Sequence, residues 1–144
     1  MMKLTKAIIF IWSIILFASC EDDKPIKGGI KFEKLSFEQA LVKSKNENKV
    51  LFVDAYATWC GPCKKLAKTT FVDKKVEKVF NSKFVNIKID VDESSSLKFV
   101  EQFQVNSIPT MLFFDKNGQL IKRLEGYYDE EELLHETKEI IGLN

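Results

Sequence analysis

Residues 50–57 form a run of apolar, β-branched and aromatic side chains broken only by Asp54, and Cys60-Gly61-Pro62-Cys63 follows almost at once. A run this short, bounded by polar residues, reads as a buried central strand of a parallel sheet. Pro62 suits the first turn of a helix, where its missing N–H costs nothing and its fixed φ helps the turn to start, and residues 64–68 continue that helix. The two cysteines therefore stand at a strand-to-helix junction, one turn apart on one helix face and within reach of a sulfur–sulfur bond of about 2.05 Å.

The rest of the chain supplies the elements around that junction. Ser36 and Gln39 form a capping box for a helix through Asn46, with Phe37, Ala40 and Leu41 on its apolar stripe. Asp73 caps a helix carrying Val76, Val79 and Phe80, and residues 84–91 read as a second strand. A polar stretch, 92–96, leads to a helix bearing Leu97, Val100 and Phe103. Residues 111–114 and 120–124 form an antiparallel hairpin through Asn117-Gly118, and Asp129 with Glu132 opens a last helix through Ile141. The order β-α-β-α-β-β-α after an early helix is that of an α/β sandwich. With 144 residues, 45% of them hydrophobic, one compact domain is expected over residues 30–144. Twenty-two basic against twenty-one acidic residues leave no field to recruit nucleic acid.

The N-terminus has Lys3 and Lys6, an apolar run over residues 7–17, and small residues before Cys20, which together read as an export signal over residues 1–19. The apolar run is about half the roughly 20 residues of a spanning helix, so an uncleaved anchor is the weaker alternative. Residues 16–20, Leu-Phe-Ala-Ser-Cys, resemble the lipobox of bacterial lipoprotein precursors, with Phe17 departing from the usual leucine. That resemblance implies an acylated Cys20 as the mature N-terminus; the alternative is an ordinary small residue near a signal-peptidase site. Lipidation would also remove the odd thiol from three cysteines, leaving Cys60 and Cys63 as a pair. Residues 20–29, acidic and then rich in proline and glycine, have the composition of a flexible tether.

At a helix start, unpaired N–H groups and the positive dipole end stabilise a thiolate, so Cys60 is expected to be the attacking sulfur and Cys63 the resolving one. Two other readings exist. Zinc needs about four ligands, and beyond this pair the chain offers His135 in the last helix and the signal-linked Cys20, so no metal is expected and His135 reads as an ordinary helix residue. An inert structural disulfide is common in exported proteins, but so small a loop would stabilise little. Asp54, a lone carboxylate in an apolar strand, reads either as a proton acceptor or as a cap for strand-end N–H groups, and Lys88 as a solvated edge residue. Trp59 reads as part surface platform, part packing. From base rates alone the Ile108–Pro109 bond is expected to be trans.

Trp59-Cys60-Gly61-Pro62-Cys63-Lys64 after Val53-Asp54-Ala55-Tyr56-Ala57 resembles the active-site segment of thioredoxins. The resemblance extends to residues 88–92, to Ser107-Ile108-Pro109-Thr110 and to Gly126, and covers residues 35–141. Residues 70–80 are more similar to exported thioredoxin-like lipoproteins and to the C-terminal periplasmic domain of the transmembrane thiol:disulfide interchange protein. The resemblance implies a thioredoxin fold, a central mixed β-sheet flanked by helices, and a thiol:disulfide oxidoreductase with no cofactor beyond the Cys60–Cys63 disulfide. It implies that Asp54 helps to deprotonate Cys63, with Lys88 near it. It also implies a cis-proline at Pro109, with Trp59, Gly61, Pro62 and Ile108 joining it to receive an extended substrate segment. The expected partners are disulfide-containing proteins and a membrane electron donor, and the expected form is a monomer held to a membrane by its lipid, facing the periplasm or cell surface. The rival functions are a disulfide oxidase or isomerase using the same cysteines, and a redox-inactive chaperone or binding module using the same groove.

Overall fold

A computed structural model describes residues 28–142. Cys20, the expected signal segment 1–19 and the expected tether residues 20–27 lie outside the described residues. The elements run α1 (Phe37–Glu47), β1 (Val50–Tyr56), α2 (Gly61–Lys68), α3 (Lys74–Lys83), β2 (Phe84–Asp90), α4 (Leu97–Gln102), β3 (Thr110–Phe114), β4 (Leu120–Glu125) and α5 (Glu130–Ile141). The strands form one mixed sheet in the order β2-β1-β3-β4. β1 is parallel to β2 and antiparallel to β3, and β3 is antiparallel to β4. β1 is thus central, which is why its sequence is apolar on both faces.

Side chains alternate across β1 and build a core on each side. Phe52 joins Leu66 of α2, Val76 and Phe80 of α3, Phe113, and Leu133 and Ile140 of α5. Leu51, Val53 and Ala55 face the other way, onto Ala40 of α1 and Phe99 of α4. Stacking of Phe52 on Phe113, with centroids 5.0 Å apart, ties the first core together.

The helix starts are chemically marked. Ser36 and Gln39 close a capping box on α1, Asp129 and Glu132 close another on α5, and the Asp73 carboxylate accepts from the N–H groups of Lys75 and Val76 at the head of α3. The β3–β4 turn is held by Asp115, whose Oδ1 accepts from the N–H groups of Asn117 and Gln119, while Gly118 takes the positive φ of 81°.

α4 differs from the spacing expected of it. Leu97 is 57% exposed, and the helix, six residues long, is anchored instead by buried Phe99. Phe99 and Phe103 pack on Phe37, at 5.0 and 5.2 Å, in an aromatic cluster that also includes Phe114. Val100 and Phe103 of the expected stripe do pack against the same core, so Leu97 alone departs from it. A 3-10 turn, Thr70–Val72, separates α2 from α3 and seats Phe71 in the core.

Candidate active site

The chain leaves β1 at Tyr56 and turns at once into α2, so whatever stands at residue 60 is delivered to a helix start. Cys60 is the N-cap, with φ −74° and ψ 112°, and its sulfur accepts from the Cys63 N–H at 3.2 Å. Pro62 lies in the first turn. Cys60 and Cys63 form a disulfide, their Cα atoms 5.3 Å apart. Both are buried in a small cluster with Ala57, against which Tyr56, Val91 and Ile108 pack. The segment over them is open: Gly61 and Pro62 are exposed, and a Cβ added at Gly61 would meet nothing within 4 Å.

Trp59 is 68% exposed, which favours the platform reading over packing, and its indole N–H donates to Asp92 at 2.7 Å. The ring therefore has one fixed edge and one free face.

Ile108 reaches the disulfide cluster from the loop before β3, and the Ile108–Pro109 bond is cis. The base rate favoured trans; the resemblance had pointed to cis. Polar contacts fix this loop. The Thr110 hydroxyl donates to the Ser107 carbonyl at 2.6 Å, the Gly126 N–H donates to the Pro109 carbonyl at 2.8 Å, and the Ser107 hydroxyl donates to Glu125 at 3.1 Å. Arg123 donates to the Phe103 carbonyl. Arg123 and Glu125 carried no signal in the sequence, because their roles depend on the β3–β4 pairing that brings β4 beside the loop.

Asp54 and Lys88 are direct partners in the β1–β2 register. Their side chains share the face that α2 covers. Asp54 is buried, one carboxylate oxygen accepts from the Lys88 ammonium, and the other, Oδ1, has no hydrogen-bond partner. Burial pushes the Asp54 carboxyl above the ordinary carboxylate range, and the Lys88 charge offsets part of that rise. Of the two readings of Asp54, capping of backbone N–H groups therefore has no contact to support it. Lys88, which by itself read as a solvated edge residue and by resemblance as a neighbour of Asp54, is tied inward, its side chain 26% exposed. His135 lies on α5 beside Glu131, Glu132 and Glu136, away from the cysteines. Among the described residues no group of three His, Cys, Asp or Glu side chains is placed to hold a metal ion.

A four-stranded mixed sheet whose central strand delivers a bonded Cys-x-x-Cys pair to a helix start defines the thioredoxin fold class. A profile of the thioredoxin-like domain matches residues 37–141. The chain is 35% identical over 115 residues to thioredoxin of Mycobacterium bovis, covering 78% of this chain and 89% of that protein. It is 32% identical over 108 residues to the thiol:disulfide interchange protein DsbD of Pseudoalteromonas atlantica, covering 73% of this chain. That match spans 18% of DsbD's own length. The solution structure of a candidate disulphide-isomerase from Bacteroides thetaiotaomicron superposes with a TM-score of 0.70 at 42% identity, covering 77% of this chain and 92% of that one. The chain belongs to the family of thioredoxin-like disulfide oxidoreductases.

Proposed function

We propose that the chain is an exported, membrane-tethered reductase of protein disulfides. The observation that carries the chemistry is the Cys60–Cys63 disulfide at the N-cap of α2, buried beside exposed Gly61 and Pro62. In the reduced protein the Cys60 thiolate attacks one sulfur of a substrate disulfide. A bond forms between Cys60 Sγ and that sulfur, and the other substrate sulfur leaves as a thiolate and takes up a proton. Cys63 then gives its proton to the Asp54 carboxylate and attacks Cys60 Sγ, which releases the second substrate sulfur and closes the Cys60–Cys63 bond. Two electrons pass to the substrate. A carboxyl whose pKa burial raises is suited to such proton traffic.

The substrate segment is proposed to lie extended beside Ile108 and cis-Pro109, pairing with backbone at Ile108 and resting on Trp59, Gly61 and Pro62. Its partners in this reading are disulfide-bonded proteins and a membrane donor that returns the dithiol to its reduced state. Reduction potential tests the direction of flow: a value near the roughly −270 mV of thioredoxins is expected, and one above about −150 mV would replace reductase with oxidase. Isomerisation is the second reading, favoured by the Bacteroides relative at 42% identity. Refolding of a scrambled disulfide substrate faster than reduced glutathione alone achieves would support it.

The tether is proposed from Cys20 and the preceding residues, with 1–19 a lipoprotein signal, 20–29 a linker and 30–144 the catalytic domain. Several acyl chains at roughly 0.8 kcal/mol per buried methylene would make the anchor effectively permanent. Cys20→Ala is expected to move the protein from the membrane to the soluble fraction; retention in the membrane would favour the uncleaved helix.

A further inference from the structure

The described chain begins with a strap, residues 28–33, that runs from the turn between α2 and α3 to the outer edge of β2, where Glu33 bridges Ile87 in parallel. Its backbone is pinned at several points. The Ile30 N–H donates to the Phe71 carbonyl at 2.8 Å, the Lys31 N–H to Asn81 Oδ1 at 2.8 Å, and the Glu33 N–H to the Asn86 carbonyl at 2.8 Å. The Asn81 amide returns a bond to the Gly29 carbonyl at 3.1 Å. Gly29 holds a φ of +103°, and a Cβ there would lie 2.7 Å from the Phe71 carbonyl oxygen, so the close approach demands glycine.

This anchoring delivers Phe32 to one place. Its ring centroid lies 4.8 Å from the Lys88 ammonium, with Tyr56 at 4.4 Å and Phe71 at 5.5 Å. The same ammonium donates to Asp54. An ammonium within about 6 Å of a ring centroid is attracted by the negative face of the ring. Lys88 lines one cavity together with the ionisable groups Asp90 on β2, Glu93 beyond it, Glu38 at the start of α1 and Lys98 on α4. Glu33 of the strap is turned away to Lys43 at 2.9 Å. The ammonium has Asp54 as its ion-pair partner and the three rings around it.

We propose that Phe32 is a positioning residue for the redox chemistry: with Tyr56 and Phe71 it closes an aromatic cage that holds the Lys88 ammonium on Asp54. The inference rests on the reading of Asp54 as the proton acceptor for Cys63. Without the Phe32 ring the ammonium swings toward Asp90 and Glu93, Asp54 loses part of its charge partner, and its carboxyl holds its proton to higher pH.

The test is a carbon-13 titration of the Asp54 carboxyl in the oxidised full chain, alongside the pH–rate profile of disulfide reduction. Phe32→Leu keeps an apolar cover and removes the π face; it is expected to raise the Asp54 midpoint by about half a pH unit and move the acid limb of the rate profile the same way. Phe32→Tyr is expected to restore both. Tyr56→Leu against Tyr56→Phe asks the same question from β1, should the strap variant fail to fold. A Phe32→Leu midpoint within about 0.1 unit of wild type overturns the cage whatever the enzyme does. A midpoint that moves while the acid limb stays fixed overturns the link to Cys63 instead, so the two failures are told apart.

Discussion

Cys60→Ser is expected to reduce insulin-disulfide reduction to the uncatalysed background, because the first covalent bond to substrate has no other sulfur to form on. Cys60 and Cys63 are buried to a like degree, and what sets them apart is position: Cys60 is the N-cap of α2 and Cys63 lies within its first turn. Cys63→Ser is expected to behave differently. The first attack survives and the second does not, so protein should accumulate as a mixed disulfide through Cys60, visible as a reducible adduct on a gel and by mass spectrometry. Equal activity of Cys60→Ser and wild type would eliminate the enzymatic reading and leave the groove as a binding site only. The captured adducts would also identify the substrates.

Asp54→Asn is expected to slow the resolving step at neutral pH by roughly 10²-fold, the lower end of what a positioned base contributes, while leaving the first attack close to wild type. Stopped-flow decay of the mixed disulfide separates the two steps; an unchanged decay rate would remove Asp54 from the reaction. The same substitution should stabilise the fold. The folded-state pKa of Asp54 is raised, with burial the leading cause and Lys88 opposing it. Ionising this group therefore favours the unfolded chain. Its contribution to stability is full below the unfolded value of about 3.9 and is lost as pH rises through the folded value. Asparagine does not ionise, so denaturation midpoints of Asp54→Asn should exceed those of wild type at neutral pH and converge with them in acid. Lys88, partly exposed, can turn its charge to solvent when its partner is neutral. Lower stability of the variant at neutral pH would mean that the ion pair, not desolvation, dominates.

Much of this was legible in the sequence because local chemistry and tertiary role coincide. Ser36 with Gln39, Asp73, Asn117-Gly118, and Asp129 with Glu132 each mark a boundary by satisfying backbone groups that the boundary exposes, and each sits where such chemistry places it. β1 was readable because a strand buried on both faces leaves little room for polar residues. What escaped depended on contacts distant in sequence. Phe99 displaced Leu97 as the anchor of α4 because Phe37, sixty-two residues earlier, offers it a ring. Lys88 taken alone looked like a solvated residue; only the resemblance set it near Asp54, where the register places it. The same holds for Arg123 and Glu125, whose partners lie in the loop before β3, and for Phe32, which precedes every strand and gains its role only when the strap docks at the edge of β2. The cis bond at Pro109 was legible through resemblance alone.

At the centre is one claim, that the helix start at residue 60 makes its sulfur the nucleophile. Alkylation of the reduced protein by iodoacetamide across pH, with peptide mapping of the modified site, tests it most directly. The expected result is selective labelling of Cys60, rising to half its maximal rate well below the ordinary thiol value of about 8.5. Labelling that begins at Cys63, or that climbs only at or above that value, would contradict it.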